Sequence, residues 1–157
     1  MAAPEDGDLA PGFSLPTDGG GQFSLDEIKG KPVVLFFYPK DNTSGCTAEA
    51  VGFSERKADF EAIGITVAGM SPNSVKDHDK FRDKHSLTVT LISDEDKSTL
   101  DAYGVWKEKS MYGRKYMGVE RSTFLISGEG KILHSWRKVK VPGHVDEVLE
   151  AAREALG

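Results

Sequence analysis

Cysteine is all but missing from this chain: one, Cys46, in 157 residues. A single thiol cannot close an internal disulfide, and without a Cys/Cys pair there is no cysteine-built zinc site. The expected compartment is a reducing cytoplasm, where lone thiols persist. Long apolar runs are missing too, so no membrane span is expected. The opening "MAAPEDGDLAP" is acidic and has no apolar centre, unlike a secretory signal. Cations are in deficit, 20 Lys+Arg against 25 Asp+Glu, and are spread along the sequence. The resulting net charge of -5 argues against nucleic acid or an anionic membrane as partner. Neither a dinucleotide fingerprint nor a cluster of metal ligands is found, so no metal, haem or flavin cofactor is expected. Internal repeats and low-complexity segments are absent as well.

What is present is an ordinary globular balance, 38% hydrophobic and 29% charged. The length suffices for one domain with a proper core, read as residues 1–157. "PTDGGGQF" is expected as a Gly-rich turn and not a linker, because too little chain precedes it to form a domain. "KPVVLFFYP" is apolar on both faces and predicts a central strand, covered on both sides. "CTAEAVGFSERKADFEAIG" predicts a helix stopped by Gly64. "ITVAGMS" and "LTVTLIS" predict further strands, each followed by a helix, "NSVKDHDKFRDKH" and "DKSTLDAYGV". "RSTFLIS", "GEG" and "KILHSWRKV" predict a hairpin. Val145, Val148, Leu149, Ala152 and Leu156 recur at helical spacing and predict an amphipathic closing helix. The order β-α-β-α-β-α-β-β-α implies an α/β sandwich with a mixed sheet and helices on both faces.

Cys46 lies just past the central strand, where ligands of such sheets tend to sit. Pro39 ends that strand, having no N–H for the ladder. Thr43 is placed to cap the following helix, its hydroxyl accepting from the N–H of residue 46. The first turn of a helix favours anions, and helix N-termini and nearby cations favour the thiolate form of cysteine. A lone cysteine is also commonly a small buried hydrophobe, and Cys46, Phe53 and Phe60 share one helical face. Placement alone leaves both readings open. With no second cysteine between Gly45 and Glu49, C-x-x-C chemistry is excluded. The four histidines, at 78, 85, 134 and 144, form no protease signature. His78 and His85 are expected on a solvated helix flank, and His134 in local packing with Ile132 and Trp136.

"PKDNTSGC" carries P-x-x-x-T-x-x-C, and the segment resembles the active-site motif of peroxiredoxins. "FYPKDNTSGCTAEA", "SDEDKSTLDAYGVW" and "GVERSTFLIS" are similar to the peroxiredoxin Q, or bacterioferritin comigratory protein, subgroup, over most of the chain. The resemblance implies a thioredoxin-like fold with an N-terminal extension. It implies a thiol-dependent peroxidase acting on hydrogen peroxide and organic hydroperoxides, with Cys46 as the nucleophile that becomes a sulfenic acid. Arg121 would supply a fixed positive charge, favour the anionic sulfur and hold the peroxide. Thr43 would orient the peroxide, Pro39 would shield the sulfur from water, and Glu49 would orient Arg121.

Two positions depart from the subgroup. Ser44 stands where many members have proline, which implies a looser helix start. Val51 stands where many carry a resolving cysteine, and the next helix has none either. The resemblance then implies a one-cysteine cycle, completed by an outside thiol: thioredoxin, glutaredoxin or glutathione. It also implies a monomer. Two rivals share the fold: a peroxide sensor or redox-relay and chaperone protein, and a binding module with an inert Cys46. "WKEKSMYGRKYMG", rich in Tyr, Met and Gly, is expected as a mobile loop near the pocket.

Overall fold

The computed structural model describes residues 3–28 and 30–156, so the acidic opening segment is seen from Ala3 onward. Its centre is the predicted apolar strand. In β3 (Val33–Phe37) every residue is buried. Successive side chains of a strand point to opposite faces, and the two hydrophobic clusters follow that alternation. Val34, Phe36 and Tyr38 join Cys46, Phe53, Phe60, Val148 and Leu149 on one face. Val33, Leu35 and Phe37 join Phe13, Tyr103 and Phe124 on the other.

Among the described residues the sheet has five strands in the order β5-β4-β3-β8-β9, with β4 Thr66–Ser71, β5 Thr90–Ser93, β8 Ser122–Ile126 and β9 Ile132–Trp136. β3, β4 and β5 run parallel; β8 pairs antiparallel with β3, and β9 antiparallel with β8. This is the expected mixed sheet. Phe36 pairs with Gly69 across β3 and β4. A Cβ on Gly69 would stand 2.6 Å from the Phe36 ring, so only glycine allows this approach. The ring then stacks on Phe53 at 4.6 Å between centroids.

One face is covered by α1 (Ser44–Glu55), α2 (Lys57–Glu61), Phe81 of α3 (Val75–His85) and α5 (His144–Leu156). The other is covered by Leu100 of α4 (Ser98–Ala102) and by the N-terminal hairpin of β1 (Ser14–Pro16) and β2 (Gln22–Ser24), around the Gly-rich turn. The single helix expected up to Gly64 is two: Arg56, at φ -99 and ψ 3, separates α1 from α2. α5 buries Val148, Leu149 and Ala152, as its periodicity predicted.

The expected mobile loop is corrected. Residues 106–119 form a regular antiparallel hairpin, β6 (Trp106–Met111) and β7 (Arg114–Val119), a sheet of its own. Cross-strand pairing from Trp106↔Val119 to Met111↔Arg114 gives its backbone the partners a loop would lack.

Candidate active site

The site begins where β3 stops. The Tyr38 N–H still bonds the Met70 carbonyl at 3.1 Å. Pro39 has no N–H to continue the ladder. The chain turns through residues 39–43, with Asn42 at φ 65, and enters α1 at Ser44. Thr43 occupies the N-cap position in extended conformation, and the helical ladder begins with the Thr47 N–H on the Thr43 carbonyl at 2.9 Å. Its hydroxyl does not cap the helix as expected. It donates back to the Lys40 carbonyl at 2.9 Å, closing the turn instead. Thr43 itself is exposed to solvent.

Cys46 is the third residue of α1 and is 1% exposed. It belongs to the core cluster with Phe53 and Phe60, as its helical face requires. Arg121 meets it from the head of the neighbouring strand β8. The antiparallel register pairs Phe37 with Ser122, so the residue before β8 lies beside the exit of β3. The Val139 N–H bonds the Arg121 carbonyl at 2.9 Å and fixes its backbone. The guanidinium then bridges two groups of α1. Nη2 donates to Cys46 Sγ at 3.1 Å, and Nη1 donates to Glu49 Oε1 at 2.7 Å. Spacing of three residues puts Cys46 and Glu49 on one side of the helix, within reach of one fork.

Glu49 is fully buried, and its Oε2 has no hydrogen-bond partner among the described residues. Burial pushes its carboxyl up to about 7, against the opposing pull of Arg121. For Arg121, burial works to lower the pKa, but Glu49 and Cys46 beside it make the net shift upward. The charge facing the sulfur is therefore permanent. Pro39, half-buried, lines a cleft of about 360 Å³ with Lys40, Pro72, Asn73, Ser74, Asp77 and Glu95.

Three groups near the site were not foreseen. His78, expected on a solvated flank, is fully buried. Its Nε2 faces the Ile92 carbonyl at 2.9 Å, which can only accept, so Nε2 carries a hydrogen. Its Nδ1 meets Asp41 Oδ2 at 2.7 Å, and the Tyr38 hydroxyl donates to Asp41 Oδ1 at 2.7 Å. Burial, and then the negative Asp41, hold the Tyr38 phenol well above its ordinary range. This buried chain ties the 39–43 turn to α3 and β5. His85, its companion in the expectation, is half-buried, with Nε2 3.3 Å from Asn42 Oδ1. The second group is His144, buried at the start of α5 with Nε2 2.8 Å from Thr123 Oγ1. Burial lowers it to about 4, and Arg121 pushes the same way against Glu147. The third is Lys109 on β6, lowered by burial and by Arg121, with Cys46 and Glu120 opposing. His134 packs on Trp136 at 4.1 Å, as its strand position predicted.

A guanidinium held against a sulfur at the head of a helix is built to stabilise negative charge there. Such a sulfur is a nucleophile for a small electrophile. Among the described residues no group of three or more His, Cys, Asp or Glu is placed to hold a metal ion. Nor, among the described residues, is any helix long and apolar enough to cross a membrane.

Comparison with known proteins agrees with this chemistry. The AhpC/TSA family model matches residues 7–135. A putative peroxiredoxin Bcp of Coxiella burnetii is 51% identical over 145 residues, covering 92% of this chain and 96% of its own. The peroxiredoxin Bcp of Bacillus subtilis is 44% identical over 150 residues, 96% of each chain. Among solved structures, a Xanthomonas campestris bacterioferritin comigratory protein, studied for alkyl peroxide reduction, superposes with a TM-score of 0.88 at 43% identity over 92% of both chains. A peroxiredoxin Q mutant from Xylella fastidiosa superposes with a TM-score of 0.94 at 39% identity over the whole of both.

Proposed function

Because this chain belongs to the AhpC/TSA family and is a thiol-dependent peroxidase, we propose that Cys46 is its peroxidatic nucleophile, held by Arg121. The reading rests on one observation: the Arg121 guanidinium donates to the sulfur at 3.1 Å while anchored on buried Glu49 at 2.7 Å. The Cys46 thiolate attacks one peroxide oxygen and the O–O bond breaks. The sulfur keeps one oxygen as sulfenic acid, and the other leaves as water or alcohol after taking a proton. Arg121 offsets the charge that spreads onto both oxygens. The Thr43 hydroxyl orients the incoming peroxide from the head of α1, and Pro39 limits water at the sulfur. Hydrogen peroxide and organic hydroperoxides are the substrates, and residues 1–157 act as one domain, a cytoplasmic monomer.

No second thiol exists in the chain, so the sulfenic acid is captured from outside. An external thiol forms a mixed disulfide with Cys46, and a further thiol releases it. Thioredoxin, glutaredoxin and glutathione are the donors to compare.

The test is stopped-flow oxidation followed by steady-state turnover. Cys46→Ser should abolish both. Arg121→Lys keeps the charge but loses the fork, and should slow Cys46 oxidation by about 100-fold. Oxidation at the parental rate in Arg121→Lys would overturn the role given to the fork. A single equivalent of peroxide consumed, with no turnover under any donor, would replace the peroxidase cycle with a sensor.

A further inference from the structure

We propose that the β6–β7 hairpin is the surface on which an acidic dithiol protein docks to reduce oxidised Cys46. The proposal rests on the one-cysteine cycle above and names the partner of that site. Six large apolar side chains stand exposed among the described residues, and four of them, Met111, Tyr112, Tyr116 and Met117, belong to this hairpin. The same segment holds Lys107, Lys109, Arg114 and Lys115 against one carboxylate, Glu108, in a chain of net charge -5. Locally, then, the sign of the chain's charge is reversed.

Register and alternation divide these residues between two faces, with Lys115 and Met117 on the far one. Lys107, Lys109 and Met111 of β6 share one side with Gly118, Tyr116 and Arg114, their partners on β7. Gly118 has no side chain to stand between its neighbours. The Lys109 stem and the Tyr116 ring pass 3.3 and 3.4 Å from where its Cβ would be. Lys109 and Arg114 form no ion pair among the described residues, whereas Lys107 holds Glu120 at 3.4 Å. The face therefore offers cations interleaved with Tyr and Met, side chains suited to the centre of a protein interface.

The face is also continuous with the site. β7 ends at Val119, and Glu120 and Arg121 follow directly. Lys109 lies close enough to Arg121 and Cys46 for both charges to act on its ammonium. A partner on this face stands beside the segment that carries Arg121, whose guanidinium touches the sulfur. Acidic partners are repelled by the rest of the chain and steered here. Transient redox partners need only a small interface, which a two-stranded ribbon can supply.

The donor's thiolate attacks the sulfenic sulfur of Cys46 and expels hydroxide, which leaves as water on taking a proton. The donor's second thiol then attacks the donor sulfur of the mixed disulfide. Cys46 departs as thiolate, reduced by two electrons, and the donor keeps its own disulfide.

The experiment oxidises the full chain with one equivalent of peroxide. Its reduction is then followed with an acidic thioredoxin and, separately, with dithiothreitol. Wild type and the double variant Arg114→Glu with Tyr116→Ser are compared. The thioredoxin rate should fall as salt rises, and should fall about tenfold or more in the double variant. Dithiothreitol reduction and peroxide oxidation should stay within about twofold, since neither uses an extended surface. An unchanged thioredoxin rate in the variant overturns the proposal. So does an equal loss with both donors, which marks a folding defect. Sedimentation with phosphatidylglycerol vesicles that the variant abolishes would assign the face to lipid instead. A wild-type protein that peroxide oxidises but no thiol reduces sinks the one-cysteine cycle, and leaves the hairpin without its premise.

Discussion

Cys46, Glu49 and Arg121 form the residue-scale unit, and within it burial shifts the Glu49 carboxyl upward. Its carboxyl is raised to about 7, so the Arg121–Glu49 ion pair forms fully only above that pH. The rate of Cys46 oxidation should carry an inflection near pH 7 that Glu49→Gln removes; the same inflection in that variant would exclude Glu49 as its source. For stability the sign is the reverse of an ordinary ion-paired acid. A raised carboxyl folds best protonated, so its contribution is present below the unfolded value of about 4.3 and lost as pH rises through about 7. His144, lowered to about 4, works the other way. Its contribution is present above about 6.5 and lost as pH falls toward 4. Urea titrations from pH 4 to 8 should therefore show His144→Gln losing less stability on acidification than the parent, and Glu49→Gln losing less on going to pH 7. The pairing of Arg121 with Cys46 was legible through the family motif, because 75 positions of separation carry no local pattern. The Asp41–His78 contact has no such motif. A histidine amid "KDHDKF" looks solvated, and only the fold shows that its face turns inward.

At the scale of elements, the apolar run of β3 and the periodicity of α5 were readable because each buries a complete face. The β6–β7 hairpin was not, since both its faces are largely solvated and its strands show no hydrophobic alternation. The break at Arg56 was equally hidden, being a backbone turn without Gly or Pro to announce it. Packing between elements is strict where glycine admits a neighbour. Gly52 lets Val145 of α5 approach to 3.0 Å from its absent Cβ, which seats α5 on α1. Phe53→Ala, removing the ring stacked on Phe36, should cost about 3–5 kcal/mol by denaturant titration. A loss below about 1 kcal/mol would mean the core closes around the void. Asp41→Ala should uncouple the 39–43 turn from α3 and β5. Oxidation of Cys46 should slow, while Asp41→Asn, which can still bond Tyr38 and His78, should retain most of the rate.

Across the whole molecule, one thiol serves a cycle that two-cysteine relatives divide between two. With no internal partner to condense with, the sulfenic acid persists until a donor arrives. Graded hydrogen peroxide without thiol should therefore convert Cys46 to sulfinic acid, visible by mass spectrometry as a second oxygen. Retention of unmodified thiol at all doses would contradict the cycle. The fold class was readable from the order of elements, whereas the covering of each face depended on side-chain directions that only the sheet register sets. The sulfur is almost wholly enclosed, and the turn above it is knotted to two other elements through Asp41 and His78. A small peroxide needs far less room to reach the sulfur than a thiol carried on a protein. Reduction must then wait for a gate, so its velocity should level off as donor concentration climbs, at a ceiling that reports the opening rate of the turn. Asp41→Ala, by loosening the latch, should lift that ceiling even as it blunts the attack on peroxide.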